Sequence, residues 1–303
     1  MKKHAYLIMA HDDKIMLLNL LSQIDDRRND IYIHLDKSFY TEEVKKELEC
    51  SVNNSKIYFV NSHFLKWGTF SIVMAEIELL KCSTLMHSYQ YYHLVSGRDL
   101  ILWNQDDIHD FFDLNHGKEF IDCRTNLSDI FLDRVKYYYI VQDYLKNRHL
   151  ITRFLNKLSL VFQKIIRINR LKNIKYGFGS QWFSITDEFA RYVISKEIFI
   201  KENFRWTLCP DELFIQTLWL NSPSYKASLT YQNESQSNNT LEPFCKNSMR
   251  AIDFKRGSGM SPYIFRHNDF QLLLNSNCIF ARKFDSKLSK DLIDDIMKAT
   301  VEH

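Results

Sequence analysis

The sequence predicts an α/β fold built on a mostly parallel sheet, and three observations carry that expectation. Apolar runs that read as buried strands alternate with segments of helical spacing along the N-terminal third of the chain. The runs stop at polar or glycine-bearing turns, as parallel strands do before their crossover helices. Glycine (7) and proline (4) are scarce while Phe (22) and Tyr (16) are abundant, a balance that excludes fibrous and low-complexity classes. With 303 residues, 45% of them hydrophobic and 25% charged, the chain can bury a large core.

Ala5–Ala10 is a continuous apolar run and reads as the first strand. His11-Asp12-Asp13 then offers a cap for a helix over Lys14–Gln23. Ile31–Asp36 is a second strand, Thr41–Glu49 a helix and Lys56–Val60 a short third strand. Thr69 or Ser71 caps a long helix that runs to about Leu85. Tyr91–Val95 is another buried strand and breaks at Ser96-Gly97-Arg98-Asp99. Phe120–Asp122 reads as a short strand followed by a loop to Arg134. Beyond a glycine-bearing stretch, Tyr176–Phe183, lie a helix over Asp187–Ser195 and a second helix opening at Pro210, which suits a first helical position. Gln232–Thr240 is a polar loop, Met249–Phe254 a strand, and Asp269–Leu274 and Asp291–Ala299 are helices. In such sheets ligands lie beyond the carboxyl ends of the strands. His34, Asp36 and Lys37 at the end of the second strand, with Gly97 and Asp99 at the end of the fourth, are therefore candidates. Asp36 is equally suited to capping the next helix.

Net charge is only +3, which argues against a general nucleic-acid binder. The six cysteines are scattered with no Cys-x-x-Cys pair, so neither a zinc spacing nor a disulfide scaffold follows. A reducing cytosol is the simplest home. The opening apolar run is too short for a signal peptide, and no stretch approaches the roughly 18 apolar residues of a spanning helix. Tyr144–Lys175 stands apart: it holds Lys146, Arg148, Arg153, Lys157, Lys164, Arg167, Arg170, Lys172 and Lys175 and no acid. Its apolar residues recur at helical spacing. Such a helix either lies on an anionic membrane surface or packs on the core with a solvated basic face.

The chemistry-bearing residues fit more than one role. Asp211 and Glu212 fall in the first turn of a helix, where carboxylates are favoured by the dipole alone. A glutamate there can also act as a general base. Arg250 and Lys283 lie in or beside apolar stretches; they read as ordinary charges, as a phosphate clamp, or as fixed cations for a nucleotide-diphosphate leaving group. No Asp-x-Asp pair is present for a metal, although Asp99 is available to an unusual ligand set.

Six stretches in order resemble one family: Ile33-His34-Leu35-Asp36-Lys37, Trp67-Gly68-Thr69-Phe70-Ser71, Ser96-Gly97-Arg98-Asp99, Gly179-Ser180-Gln181-Trp182-Phe183, Cys209-Pro210-Asp211-Glu212 and Phe280-Ala281-Arg282-Lys283-Phe284-Asp285. The sequence resembles the core 2/I-branching β-1,6-N-acetylglucosaminyltransferases and peptide xylosyltransferases, glycosyltransferase family 14. That resemblance implies a single GT-A type domain with a mostly parallel central sheet flanked by helices. Residues 1–125 would form a Rossmann-like nucleotide-binding half and 176–286 the acceptor and catalytic half, with 144–175 inserted between them. It also implies inverting, metal-independent transfer from a UDP-sugar to a glycan hydroxyl, with no cofactor. Glu212 would be the base, and Arg250, Lys283 and Arg282 would hold the diphosphate. His34, Asp36, Lys37, Trp67, Gly97 and Asp99 would line the nucleotide. Asp122, Arg134, Trp182 and Asp211 would meet the acceptor.

N-acetylglucosamine is the expected sugar, with xylose, glucuronate or galactose as alternatives. A non-catalytic glycan-binding subunit of a polysaccharide assembly complex is the rival of another class. Animal branching enzymes of the family are luminal, membrane-anchored and cysteine-paired. The absence of those marks here points to a bacterial relative on the cytosolic face, building a surface polysaccharide or lipooligosaccharide from a lipid-linked acceptor. The chain departs from the family's Ser-Gly-x-Asp-x-Pro pattern, with Ile101 at the proline position.

Overall fold

The computed structural model describes residues 2–140, 150–226, 229–232, 247–258 and 261–301. Its centre is a five-stranded sheet in the order β3-β2-β1-β4-β6: β1 (His4–Ala10), β2 (Asn29–Leu35), β3 (Lys56–Phe59), β4 (Tyr91–Ser96) and β6 (Ser184–Thr186). The first four are parallel, and β6 runs antiparallel on β4. This mixed α/β arrangement agrees with the expected fold class, and the strand order reverses between β1 and β4, which opens a crevice at their carboxyl ends.

The parallel strands are apolar on both faces because helices cover both. Alternate residues of β1 divide between two cores. Ala5, Leu7 and Met9 pack with α3 (Phe70–Met86), α7 (Asp187–Ser195) and α9 (Phe214–Leu220). Tyr6, Ile8 and Ala10 pack with α1 (Lys14–Ile24) and α4 (Gln105–Leu114). The predicted caps form: the Asp13 carboxylate accepts from Met16 N ahead of α1 and the Thr69 hydroxyl from Ser71 N ahead of α3. Thr41, read as the first helical residue, instead caps α2 (Glu42–Cys50), its hydroxyl accepting from Val44 N.

The strand predicted over Met249–Phe254 appears as β7 (Arg250–Ile252), but the sequence patterns missed its partners β8 (Phe280–Arg282) and β5 (Leu100–Ile101), too short to show a period, and with them a second sheet in the order β5-β8-β7. It packs on α11 (Lys290–Val301) and on Met16 of α1. Here Ile101 finds its reason. Its N–H donates to Gln23 Oε1 at 2.9 Å while Gln23 Nε2 donates to its carbonyl, and proline could make only the second bond.

Three expectations shift. The segment before Arg134 is a helix, α5 (Asp129–Lys136), not a loop. Phe120 only bridges to Ser184 instead of entering a strand. Pro210 opens a 3-10 turn, Pro210–Glu212, and the α-helix begins at Phe214. Between α5 and β6 the described chain forms α6 (Leu150–Ile165), and α8 (Glu197–Phe204) and α10 (Phe270–Leu274) complete the set. The polar loop predicted over Gln232–Thr240, beyond residue 232, and the start of the basic stretch, 144–149, lie outside the described residues.

Candidate active site

At the switch point the ends of β1 and β4 come together because residue 97 is glycine. A Cβ there would stand 2.9 Å from Ala10 Cβ, and Gly97 N donates to Met9 O. Arg98 then makes a two-pronged ion pair with Asp12, 2.7 and 2.8 Å, and reaches Asp285 at 3.1 Å. Arg282, at the end of β8, pairs with Asp99 at 3.1 Å and lies 4.2 Å above the Trp182 ring. Lys283 completes the group. Burial lowers its pKa, and the neighbouring Arg98 and Arg282 lower it further. Asp12, Asp285 and Asp99 balance the two arginines, so Lys283, set beside both, is the cation that an arriving anion would relieve. His11 belongs to the same cluster, its pKa lowered by burial while Asp12 works in the opposite direction.

A second group of acids gathers on the 3-10 turn. Cys209 adopts a left-handed φ of 48° and turns the chain into Pro210. Its N–H is held by Gly68 O, which ties in the Trp67-Gly68 stretch. Glu212 Oε2 accepts from Arg134 Nη1 at 2.6 Å, leaving Oε1 without a partner among the described residues. Arg134 itself lies beside the packed Phe131 and Phe178 rings, 5.2 and 5.3 Å from their centroids. Asp211 is buried, and burial followed by the charge of Glu212 pushes its pKa up to about 7. Glu76 of α3 is wholly buried, and desolvation together with Asp211 raises it well above the usual carboxylate range.

The stretch Gly179–Trp182 joins the two groups. Gly179 N donates to Glu212 O at 3.0 Å. Gln181 Nε2 donates to Glu76 Oε1 at 2.7 Å and sits 3.8 Å from Met9 Sδ at the end of β1. The next residue is Trp182, under Arg282. Acids and cations therefore stand on either side of one dipeptide.

Several predicted residues have other duties. Arg250 is corrected: it is 1% exposed, and its guanidinium donates to Ser184 Oγ and to the carbonyls of Ser248, Leu94 and Phe183, with its face on Phe280. The apolar flanks that were to bury only its stem bury its head as well, so it clasps β4, β6 and β7 instead of facing a ligand. His34 is likewise corrected. It lies inside β2, fully buried against His63, and burial with that second imidazole depresses its pKa to about 4.

Asp36 ties a turn, accepting from Ser38 N and Leu65 N. Burial would raise its pKa, but the bonds from Ser38 and Leu65 outweigh that and hold it low. Lys37 is exposed near the Phe64 ring and Trp67 is half exposed. Asp122 accepts from the Ser248 hydroxyl at 2.6 Å. Asp99 is buried beneath Arg282, and burial raises its pKa.

Sequence reasoning did not single out Arg98, Asp12, Gln181 or Glu76. The first three were visible as polar residues at strand ends or in a quoted motif. Glu76 had no signal, since it breaks the apolar pattern of its helix. A cavity of about 310 Å³ near the amino ends of β1 and β4, lined in part by Lys2, Gln90 and Glu119, contains none of these residues. Among the described residues no cluster of three His, Cys, Asp or Glu side chains is arranged to hold a metal, and no helix is long and apolar enough to cross a membrane.

The sequence model of a family described as "Core-2/I-Branching enzyme" matches residues 4–262. Over 301 residues the chain is 23% identical to xylosyltransferase 2 of Rattus norvegicus, covering 96% of this chain and 33% of that protein. It is 26% identical over 309 residues to beta-glucuronosyltransferase GlcAT14A of Arabidopsis thaliana, covering 97% of this chain and 64% of that one. The chain thus spans about a third of the length of the xylosyltransferases it matches. Among solved structures, S. aureus TarS in complex with UDP-GlcNAc shares 15% identity and a TM-score of 0.26, covering 40% of this chain and 33% of that one, a likeness too partial to carry an argument.

Proposed function

From the chain's membership in the Core-2/I-Branching enzyme family, we propose that it is an inverting glycosyltransferase that uses a UDP-sugar and needs no metal. The observation that carries this reading is the Gly179–Trp182 stretch: Gly179 N–H bonds the Glu212 carbonyl, Gln181 bonds Glu76, and Trp182 lies under Arg282, which neighbours Arg98 and Lys283. Glu212 takes the proton of an acceptor hydroxyl. The oxygen attacks the anomeric carbon as its bond to the diphosphate breaks, and the departing UDP carries its charge onto Lys283 and the two arginines. Arg134 holds one Glu212 oxygen and leaves the other for the proton. N-acetylglucosamine on a bacterial surface glycan is the donor and acceptor pair we favour. The names of the relatives favour a second reading in which the sugar is xylose or glucuronate.

The experiment is a panel of UDP-sugars tested for binding by calorimetry and for transfer in EDTA. Transfer should survive the chelator. Glu212→Gln should lower turnover about 10²–10⁴-fold, the usual size of a general-base contribution, with donor affinity retained. Full activity in Glu212→Gln would remove that residue from the mechanism. Strict dependence on Mn²⁺ would favour Asp99 as part of a metal site. Absence of any UDP binding would leave a non-catalytic glycan-binding subunit.

A further inference from the structure

A surface helix normally turns its apolar stripe to the core and its polar face to water; α6 does the reverse. Phe154, Leu158, Val161, Phe162 and Ile165 share one face and are all exposed, Phe162 by 61% and Ile165 by 72%. The side that meets the protein is polar. Gln163 is buried there, and its amide spans Tyr138 N and Tyr138 O at 2.8 and 2.9 Å. On the same stretch of chain Lys157, Arg167, Lys172 and Lys175 are exposed, and the whole of Tyr144–Lys175 contains no acid. Lys164, also exposed, is drawn back to 3.4 Å from Asp133. An apolar strip of this size on a soluble surface marks an interaction site.

We propose that α6 is the docking face of the protein on an anionic lipid bilayer. Phe, Leu, Val and Ile side chains would enter the acyl boundary and the flanking cations would meet the headgroups. The charge decides between a bilayer and a second copy: a two-fold interface across this face would set basic residues against basic residues. The helix has 16 residues, too few to span a bilayer and enough to lie on one. The docked face adjoins the candidate active site. Asp133, which holds Lys164, precedes Arg134, which holds Glu212, and Tyr138 follows on the same segment. Docking would therefore present the Glu212 turn to an acceptor anchored in the lipid. That last step rests on the transferase reading; the docking itself does not.

The test is flotation of the full chain with vesicles of phosphatidylcholine alone and of an equimolar mixture with phosphatidylglycerol, with UDP-sugar binding measured in parallel. The protein should float with the anionic vesicles, and salt should weaken the binding. Leu158→Gln with Phe162→Gln should abolish flotation while donor binding is retained. Charge reversal at Lys157, Arg167 and Lys172 should cost at least about fivefold per residue, since each basic group near an anionic surface contributes about 1 kcal/mol. Arg170 is left intact because it donates to the carbonyls of Tyr137 and Asn203.

Equal recovery with neutral and anionic vesicles, or flotation unchanged in the variants, would overturn the proposal. So would a dimer in sedimentation that the Leu158/Phe162 pair dissolves. Flotation without UDP-sugar binding would keep the docking and remove the transferase reading; the converse would do the opposite.

Discussion

Two arginines with similar surroundings in sequence have opposite fates. Arg250 and Arg282 each lie in a short apolar strand, and both were expected to meet a diphosphate. Arg250 spends its donors on Ser184 and on carbonyls of three strand or loop segments. Arg282 has one carboxylate partner, Asp99, and an indole beneath it. Mutation separates them. Arg250→Leu should lower stability by about 1–3 kcal/mol for each buried acceptor left without a donor, read as a drop in the urea midpoint. Lys283→Ala should leave that midpoint nearly unchanged and weaken UDP-sugar binding in calorimetry. Selective loss of UDP affinity in Arg250→Leu, with stability intact, would return it to the site.

At the scale of elements, the site depends on turns held by backbone contacts more than on regular structure. Gly179 is the clearest case. A Cβ at that position would lie 1.7 Å from Asp122 O, so only glycine lets this stretch pass Asp122 and still bond to Glu212 O. Gly179→Ala should therefore displace the turn, lowering both melting temperature and transfer rate, the overpacking costing about 1–3 kcal/mol or more. An alanine enzyme with wild-type melting and rate would show that the turn has room elsewhere. Helix α6 gives the opposite lesson. Its period is plain in the sequence, yet period alone does not say which face turns inward.

Across the whole molecule, buried ionisable groups set opposing pH limits. His4 and His93 are held well below the usual imidazole range, chiefly by burial, and His34 and His109 near about 4 by burial first and then by His63 and Arg28 respectively. Their folded pKa values are depressed, so the stability they contribute is present above about 6.5 and is lost as pH falls toward 4. The buried acids act in the other sense. Burial raises Glu119 to about 8 and Asp211 to about 7, and lifts Glu76 well above its usual range. Their stabilising contribution is full below the ordinary carboxylate pKa and is lost as pH rises through 7 to 8. Melting temperature should therefore pass through a maximum between mildly acidic and neutral pH. Glu119→Gln with Asp211→Asn should flatten the alkaline limb; an unaltered limb would show that these carboxyls are ionised at no cost.

Much of this was legible in the chain itself. Apolar runs such as Ala5–Ala10 are long enough to stand out, and Asp13 and Thr69 act within four residues, so strands, caps and the parallel sheet followed from local rules. The motif order identified the family and brought Glu212, Lys283 and Arg282 forward. Which cations remain free, which carboxyls are dry and which face of α6 meets solvent depend on segments far apart in sequence. Arg250 is silenced by Leu94 and Phe183, Glu76 is charged with meaning by Asp211, and the stripe of α6 is left outside because Gln163 finds Tyr138. Local pattern reports what a residue prefers; only the packed chain determines whether its partners leave it that choice.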